Sequence, residues 1–94
     1  MFILILTYKK PLSEVDRYLD AHKAFLDAHY STRQFVASGR QQPRTGGVIL
    51  CRSTDRATVE KIIAEDPLMI HQIADYTVIE FCPSKYLEGF DHFL

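Results

Sequence analysis

Cysteine is scarce in this sequence, which contains only Cys51 and Cys82 among its 94 residues. Neither belongs to a C-x-x-C pair, and both lie in strand-like runs where we expect the thiols to be buried. Small secreted domains usually carry several cysteines that are joined as disulfides. The sequence is therefore not that of a disulfide scaffold, and it favours a reducing compartment, the cytoplasm.

An excess of charge of one sign and long apolar runs are also lacking. Eleven basic and twelve acidic residues give a net charge of −1, and both signs are mixed along the chain, which is not the pattern of a nucleic-acid or anionic-membrane surface. The apolar N-terminal run ends at Lys9, too early for a membrane span or for a signal-peptide core with its cleavage site. We therefore expect no nucleic-acid and no membrane partner, and we interpret this run as a strand.

The apolar pattern predicts four strands and two helical regions in one domain, residues 1–94. The strands are predicted at residues 2–8, 34–38, 48–52 and 76–81. The first helix is predicted to be capped by Ser13 and to continue to about His29, because apolar residues recur at steps of three and four. The second is capped by Ser53, Thr54 or Asp55.

The second helical region is interrupted at Asp66-Pro67, because proline disfavours helical geometry in the residue before it. A short helical segment follows from Pro67 to about residue 74. The predicted order is thus β-α-β-β-α-β, which is typical of the α+β, ferredoxin-like arrangement: a four-stranded antiparallel sheet with two helices on one face.

The first strand is apolar on both faces, so the sheet face without helices would expose a wide apolar surface in a monomer. A homodimer formed through this sheet face would cover it. Packing of the C-terminal tail, residues 84–94, would also cover it. We favour the homodimer.

His22 is the most informative candidate for chemistry. It follows Tyr18 by four residues and precedes Phe25 by three, so the helix directs it toward the sheet. Asp66 continues the apolar stripe of the second helix toward the same interior, and an aspartate beside an imidazole equips the ring for acid–base chemistry. On the residues alone, the simpler interpretations are a hydrogen-bonded core histidine and an aspartate that caps the segment after it.

Polar residues near the ends of the first two strands are candidates for substrate binding. Tyr8, Ser38 and Gly39 lie where these strands end and would frame the mouth of a pocket. Arg44, in the glycine-rich loop that follows, would present donors to a carboxylate or phenolate. A solvated turn is the simpler interpretation of that loop.

Several catalytic and metal-binding patterns are missing. The loop lacks the lysine of a phosphate-binding loop, and the chain has no G-x-S-x-G element. His22 and His29 share a helix face, but the spacing supplies no third ligand, so we predict no metal site.

Four segments together resemble the YCII-related (YciI-like) family. They are DAHKAFLDAHY around His22, ASG ending at Gly39, RTGGVIL, and the Asp66-Pro67 pair; each is weak alone, but the combination is specific and covers nearly the whole chain. The family belongs to the dimeric α/β-barrel superfamily, in which two ferredoxin-like subunits pair their sheets. The sequence departs from the family at Arg40, where proline is frequent, and we expect this arginine to add positive charge to the pocket rim.

The resemblance also carries a functional expectation. In YCII-like proteins a histidine of the first helix and an aspartate before the proline form a proposed active-site pair, which here corresponds to His22 and Asp66. Relatives in the superfamily include muconolactone isomerases and dehalogenating lyases of aromatic breakdown, which need no cofactor. The resemblance therefore implies a cofactor-independent lyase or isomerase acting on a small anionic or phenolic molecule. The alternatives are a non-catalytic domain that binds a small ligand and a structural dimerisation module.

Overall fold

A computed structural model of the chain describes residues 1–53 and 55–94. Its elements follow one another as β1 (Phe2–Tyr8), α1 (Leu12–Arg17), α2 (Leu19–Ser31), β2 (Phe35–Arg40), β3 (Gly46–Cys51), α3 (Arg56–Ile63), α4 (Pro67–Ile70), β4 (Ala74–Glu80) and a C-terminal 3-10 helix (Phe90–Phe93). The predicted β-α-β-β-α-β order is confirmed, with each helical region divided into two segments.

The four strands form one antiparallel sheet in the order β2-β3-β1-β4. β1 is central and pairs with both β3 and β4, as the ferredoxin-like fold requires. The sequence prediction of an α+β fold with this sheet is therefore confirmed. Within residues 1–53 and 55–94, the structure contains no helix with the length and hydrophobicity of a membrane span.

The core lies between one sheet face and the helices. Phe2, Leu4 and Leu6 of β1 are buried against it, whereas Ile3 and Ile5, which alternate with them, lie on the open face and are partly exposed. The helices contribute apolar residues from one stripe each, as a helix covering a sheet must: Val15, Phe25, Val59, Ile62, Ile63 and Leu68.

The start of the first helix differs from the prediction. α1 begins at Leu12 because the Pro11 carbonyl already accepts hydrogen bonds from the N–H groups of Glu14 and Val15. Ser13 therefore lies inside the first turn, and its predicted role as the cap is wrong. The helix is also broken at Tyr18, whose φ and ψ of −113° and 6° are not helical, so that α2 starts afresh at Leu19.

The second helical region is interrupted where the sequence predicted. Asp55 caps α3 by accepting a hydrogen bond from the Thr58 N–H at 2.7 Å, which lowers the pKa of that carboxyl. Thr54, the alternative cap, lies outside the described residues. Asp66 caps α4, with Pro67 in the first turn.

A bulge in β2 decides which of its side chains face the helices. The pairing with β3 shifts by one residue between Phe35, opposite Cys51, and Ala37, opposite Leu50. Ser38 lies three residues after Phe35 and would otherwise point to the opposite face of the sheet, because strand side chains alternate. The bulge places both residues on the helix-covered face.

The two thiols lie in different environments. Cys51 of β3 is buried, and burial raises its pKa to about 11. Cys82 is exposed, so the expectation of burial is wrong for this residue. The reason is that β4 ends at Glu80, before Cys82.

Gly46 and Gly39 give a matched test of the packing at this end of the sheet. A Cβ at Gly46 would overlap the carbonyl oxygen of Leu6, whereas a Cβ at Gly39 would meet no atom within 4 Å. We expect Gly46→Ala to lower the free energy of unfolding by about 1–3 kcal/mol and Gly39→Ala to change it by less than about 0.5 kcal/mol. Urea unfolding at one protein concentration measures both, and equal losses would contradict this account of the packing.

Candidate active site

A cavity of about 210 Å³ lies between α2 and the end of the sheet formed by Leu6, Tyr8 and the start of β3. Its floor and walls are largely apolar, with side chains from α2 and from three strands. Its polar side chains are those of Tyr8, His22, Lys23, Ser38 and Arg40. A small number of polar groups in an apolar concavity is typical of small-ligand sites.

His22 and Asp66 are brought together beside this cavity. Nδ1 of His22 lies 2.9 Å from Oδ1 of Asp66. The aspartate is fully buried and the histidine side chain is 14% exposed. An ionised carboxylate only accepts hydrogen bonds, so the neutral ring carries its proton on Nδ1 and has its lone pair on Nε2. Nε2 hydrogen bonds with no described residue, which leaves it available to a ligand.

The buried carboxylate of Asp66 has two further partners. Its Oδ1 accepts the backbone N–H of Leu68 at 2.9 Å, and its Oδ2 accepts the hydroxyl of Tyr76 at 2.5 Å. A buried charge requires such compensation. Asp66 is thus both the cap of α4 and the partner of His22, two roles that are alternatives on the sequence alone.

Tyr76 was missed by the sequence analysis. The alternation of β4 does place it on the helix-covered face, but its contact with Asp66 depends on how β4 pairs with β1. Burial first, and then the charge and hydrogen bond of Asp66, raise the pKa of Tyr76, so that its hydroxyl remains a donor.

Three of the four predicted substrate-binding residues, Tyr8, Ser38 and Gly39, line the cavity. Ser38 Oγ also lies 2.7 Å from the hydroxyl of Tyr30, which ties this strand end to α2. The position of Ser38 depends on the β2 bulge, which no pattern in the sequence indicates.

Arg44 is not among the residues that line the cavity. Its Nη2 donates a hydrogen bond to Oδ1 of Asp16 at 2.6 Å, and its side chain is only 22% exposed. Lys23 and Arg40 supply the positive charge instead, and the described lining contains no aspartate or glutamate. Arg40 is the position where the sequence departs from the family, whereas no pattern in the sequence points to Lys23, although it follows His22 directly.

The remaining histidine of α2 has a different role. Nε2 of His29 lies 3.1 Å from Glu65, and its ring packs against Phe25 and Phe35. It does not line the cavity. No three His, Cys, Asp or Glu side chains lie together as metal ligands would anywhere in residues 1–53 and 55–94.

A larger concavity of about 760 Å³ lies at the other end of β1, next to Met1, Arg52 and the C-terminal tail. It contains none of the predicted site residues. We assign the candidate site to the smaller cavity because the histidine and its buried carboxylate are there.

Comparison with known proteins gives one family and one fold. The family model of the YCII-related domain matches residues 1–82. Among solved structures, the chain is similar to 5-chloro-2-hydroxyhydroquinone dehydrochlorinase (TftG) from Burkholderia phenoliruptrix AC1100, solved in complex with 2,5-dihydroxybenzoquinone. The TM-score is 0.72 and the sequence identity 17%, and the match covers 87% of this chain and 94% of TftG. At this identity the likeness shows the fold. No curated protein matches the sequence.

Two substitutions of Asp66 test the hydrogen bonds of the site. Asp66→Ala removes the cap of α4 and leaves His22 and Tyr76 without their acceptor, so we expect a loss of about 2–4 kcal/mol in the free energy of unfolding. Asp66→Asn should cost only about 1 kcal/mol. Its amide oxygen can accept from Leu68 and His22, while its NH₂ donates to the Tyr76 hydroxyl.

Chemical denaturation of both variants measures the two losses. If Asp66→Asn loses as much stability as Asp66→Ala, the negative charge of Asp66 stabilises the fold, and the three hydrogen bonds described above do not explain its contribution.

Proposed function

Because the chain belongs to the YCII-related domain family, we propose that it is a cofactor-independent enzyme of the lyase or isomerase type. In this proposal His22 and Asp66 perform acid–base chemistry on a small anionic or phenolic molecule. The observation that carries the proposal is the 2.9 Å contact between His22 Nδ1 and the fully buried Asp66, beside a cavity that His22 lines.

The proposed chemistry follows from the orientation of the ring. Asp66 holds the proton on Nδ1, so the lone pair of Nε2 accepts a proton from a C–H or O–H group of the substrate. The carboxylate then stabilises the positive charge of the imidazolium. If the electron pair left on the substrate expels a leaving group, the reaction is an elimination; if Nε2 returns the proton to another atom, it is an isomerisation.

The charges of the cavity support an anionic or phenolic substrate. Lys23 and Arg40 line it, with no carboxylate among the described lining residues, so the local potential favours a negative ligand. The hydroxyls of Tyr8 and Ser38 supply uncharged hydrogen-bond partners. A cavity of about 150 Å³ holds benzene, so the 210 Å³ here matches one ring with small substituents.

The structural neighbour supports the same class of substrate. It is a dehydrochlorinase of a hydroxylated hydroquinone, and its bound molecule is a dihydroxybenzoquinone. Elimination of hydrogen chloride needs a base and an exit for chloride, and it needs no redox step. We propose hydroxylated, ring-shaped anions as the first compounds to test on this chain.

We further propose that the protein is a homodimer in which a second copy covers the open sheet face. This face presents Ile3, Ile5, Val48 and Leu50, all partly exposed, and Ile79, which is 43% exposed. An apolar surface of this kind favours a partner. We also propose a cytoplasmic location, which the two free thiols support.

Two histidines of the same helix provide the test of the enzyme proposal. His22→Gln should lower the rate of chloride release from 5-chloro-2-hydroxyhydroquinone by about 10²–10⁴-fold, the usual contribution of a general acid or base. His29→Gln is the matched control, because His29 lies outside the cavity, and it should retain the wild-type rate. Chloride release measured under anaerobic conditions avoids oxidation of the hydroquinone.

Binding of 2,5-dihydroxybenzoquinone, measured by calorimetry, separates the alternatives. If the wild type binds this probe without turnover of the chlorinated compound and His22→Gln binds it equally well, the chain is a ligand-binding domain. If the probe does not bind at all, the dimerisation module is favoured.

A further inference from the structure

Tyr76 contacts the acid of the His22–Asp66 pair on the side away from the cavity. It lies in β4 opposite Leu6, and its hydroxyl donates to Oδ2 of Asp66 at 2.5 Å. The other oxygen, Oδ1, receives His22 and the Leu68 N–H. The two carboxylate oxygens thus have separate partners, and Tyr76 holds the one that His22 does not use.

The carboxylate depends on this donor because Asp66 is fully buried. In the described part of the chain, its side-chain oxygens have three donors, and Tyr76 alone serves Oδ2. A buried carboxylate that loses a donor binds a proton more readily. A protonated Asp66 would no longer stabilise the charge that His22 gains as a base.

Tyr76 is suited to act through Asp66 and not on the substrate. It is absent from the lining of the His22 cavity; its ring borders a separate surface groove that contains Arg56 and Glu60. Because burial and the charge of Asp66 keep its hydroxyl protonated, it donates without exchanging a proton with the pair.

We propose that Tyr76 is a positioning residue of the His22–Asp66 pair, whose hydroxyl holds Oδ2 of Asp66 and thereby directs Oδ1 toward His22. The inference rests on the proposed acid–base function. The other titratable and charged groups around the pair remain unchanged in the variants below: Tyr8, Lys23 and Arg40 line the cavity, and Arg56 and Glu60 line the groove beside Tyr76.

Tyr76→Phe keeps the ring and removes the hydroxyl. We expect kcat for 5-chloro-2-hydroxyhydroquinone to fall about tenfold, the effect of one hydrogen bond to a charged group, with KM unchanged because Tyr76 does not line the cavity. The acid limb of the pH–rate profile should move to higher pH, because the buried carboxylate has lost one of its hydrogen-bond donors.

Ile62→Val is the control for loss of stability alone. Ile62 is a buried residue of α3 outside the site, and removal of one methyl group destabilises a core without altering its hydrogen bonds. It should leave the pH–rate profile at the wild-type position. A Tyr76→Phe profile that coincides with that of Ile62→Val would overturn the positioning role.

A readout that needs no turnover distinguishes this inference from the proposed function. The hydrogen-bonded Nδ1 proton of His22 gives its own ¹H NMR resonance. Tyr76→Phe should move it downfield, because a carboxylate with fewer donors is a stronger acceptor. In the Asp66→Asn background, where the charge is absent, Tyr76→Phe should move it much less.

If the wild type turns over no chlorinated substrate but the resonance responds in this way, the proposed function fails and the role of Tyr76 on the pair stands. If the resonance stays at its wild-type position in Tyr76→Phe, Tyr76 only fills the core and the inference is wrong.

Discussion

The fully buried carboxylate of Asp66 connects the parts of this fold that form the candidate site. It accepts hydrogen bonds from the first turn of α4, from Tyr76 in the sheet and from His22 in α2. A buried charge is costly unless it is satisfied in this way, so these three elements are constrained to one arrangement. The orientation of His22, and with it the chemistry available at the cavity, follows from that constraint.

The geometry of the sheet determines the shape of the cavity on the side formed by the ends of β1, β2 and β3. The bulge in β2 turns Ser38 toward the helices, and Gly46 allows β3 to approach the carbonyl of Leu6. Both features act at the strand ends where Arg40 and Tyr8 line the cavity. The site therefore combines a carboxylate that fixes the base with a sheet end that admits a small ligand and supplies positive charge.

Local pattern was enough for the fold, whereas His22 and Asp66 were favoured as a pair only through the family resemblance. Periodicity placed the strands and the apolar stripe with His22, and Pro67 located the helix interruption at Asp66. The features that the sequence did not predict depend on contacts between distant residues or on backbone detail. The Tyr76 hydrogen bond requires the β1–β4 register, and Arg44 pairs with Asp16 of another element. The break at Tyr18 has no signal in the sequence. The prediction that Ser13 caps the first helix was wrong because the Pro11 carbonyl already accepts the first hydrogen bonds of the helix.

The position of the proton on the neutral His22 ring shows whether the ring is paired with an ionised Asp66. Two-bond ¹H–¹⁵N NMR correlations distinguish a ring that carries its proton on Nδ1 from one that carries it on Nε2. We expect neutral His22 to carry the proton on Nδ1, and 2,5-dihydroxybenzoquinone to perturb Nε2 more than Nδ1. A ring protonated on Nε2, or a mixture of both forms as in a free histidine, would contradict the pairing with an ionised Asp66.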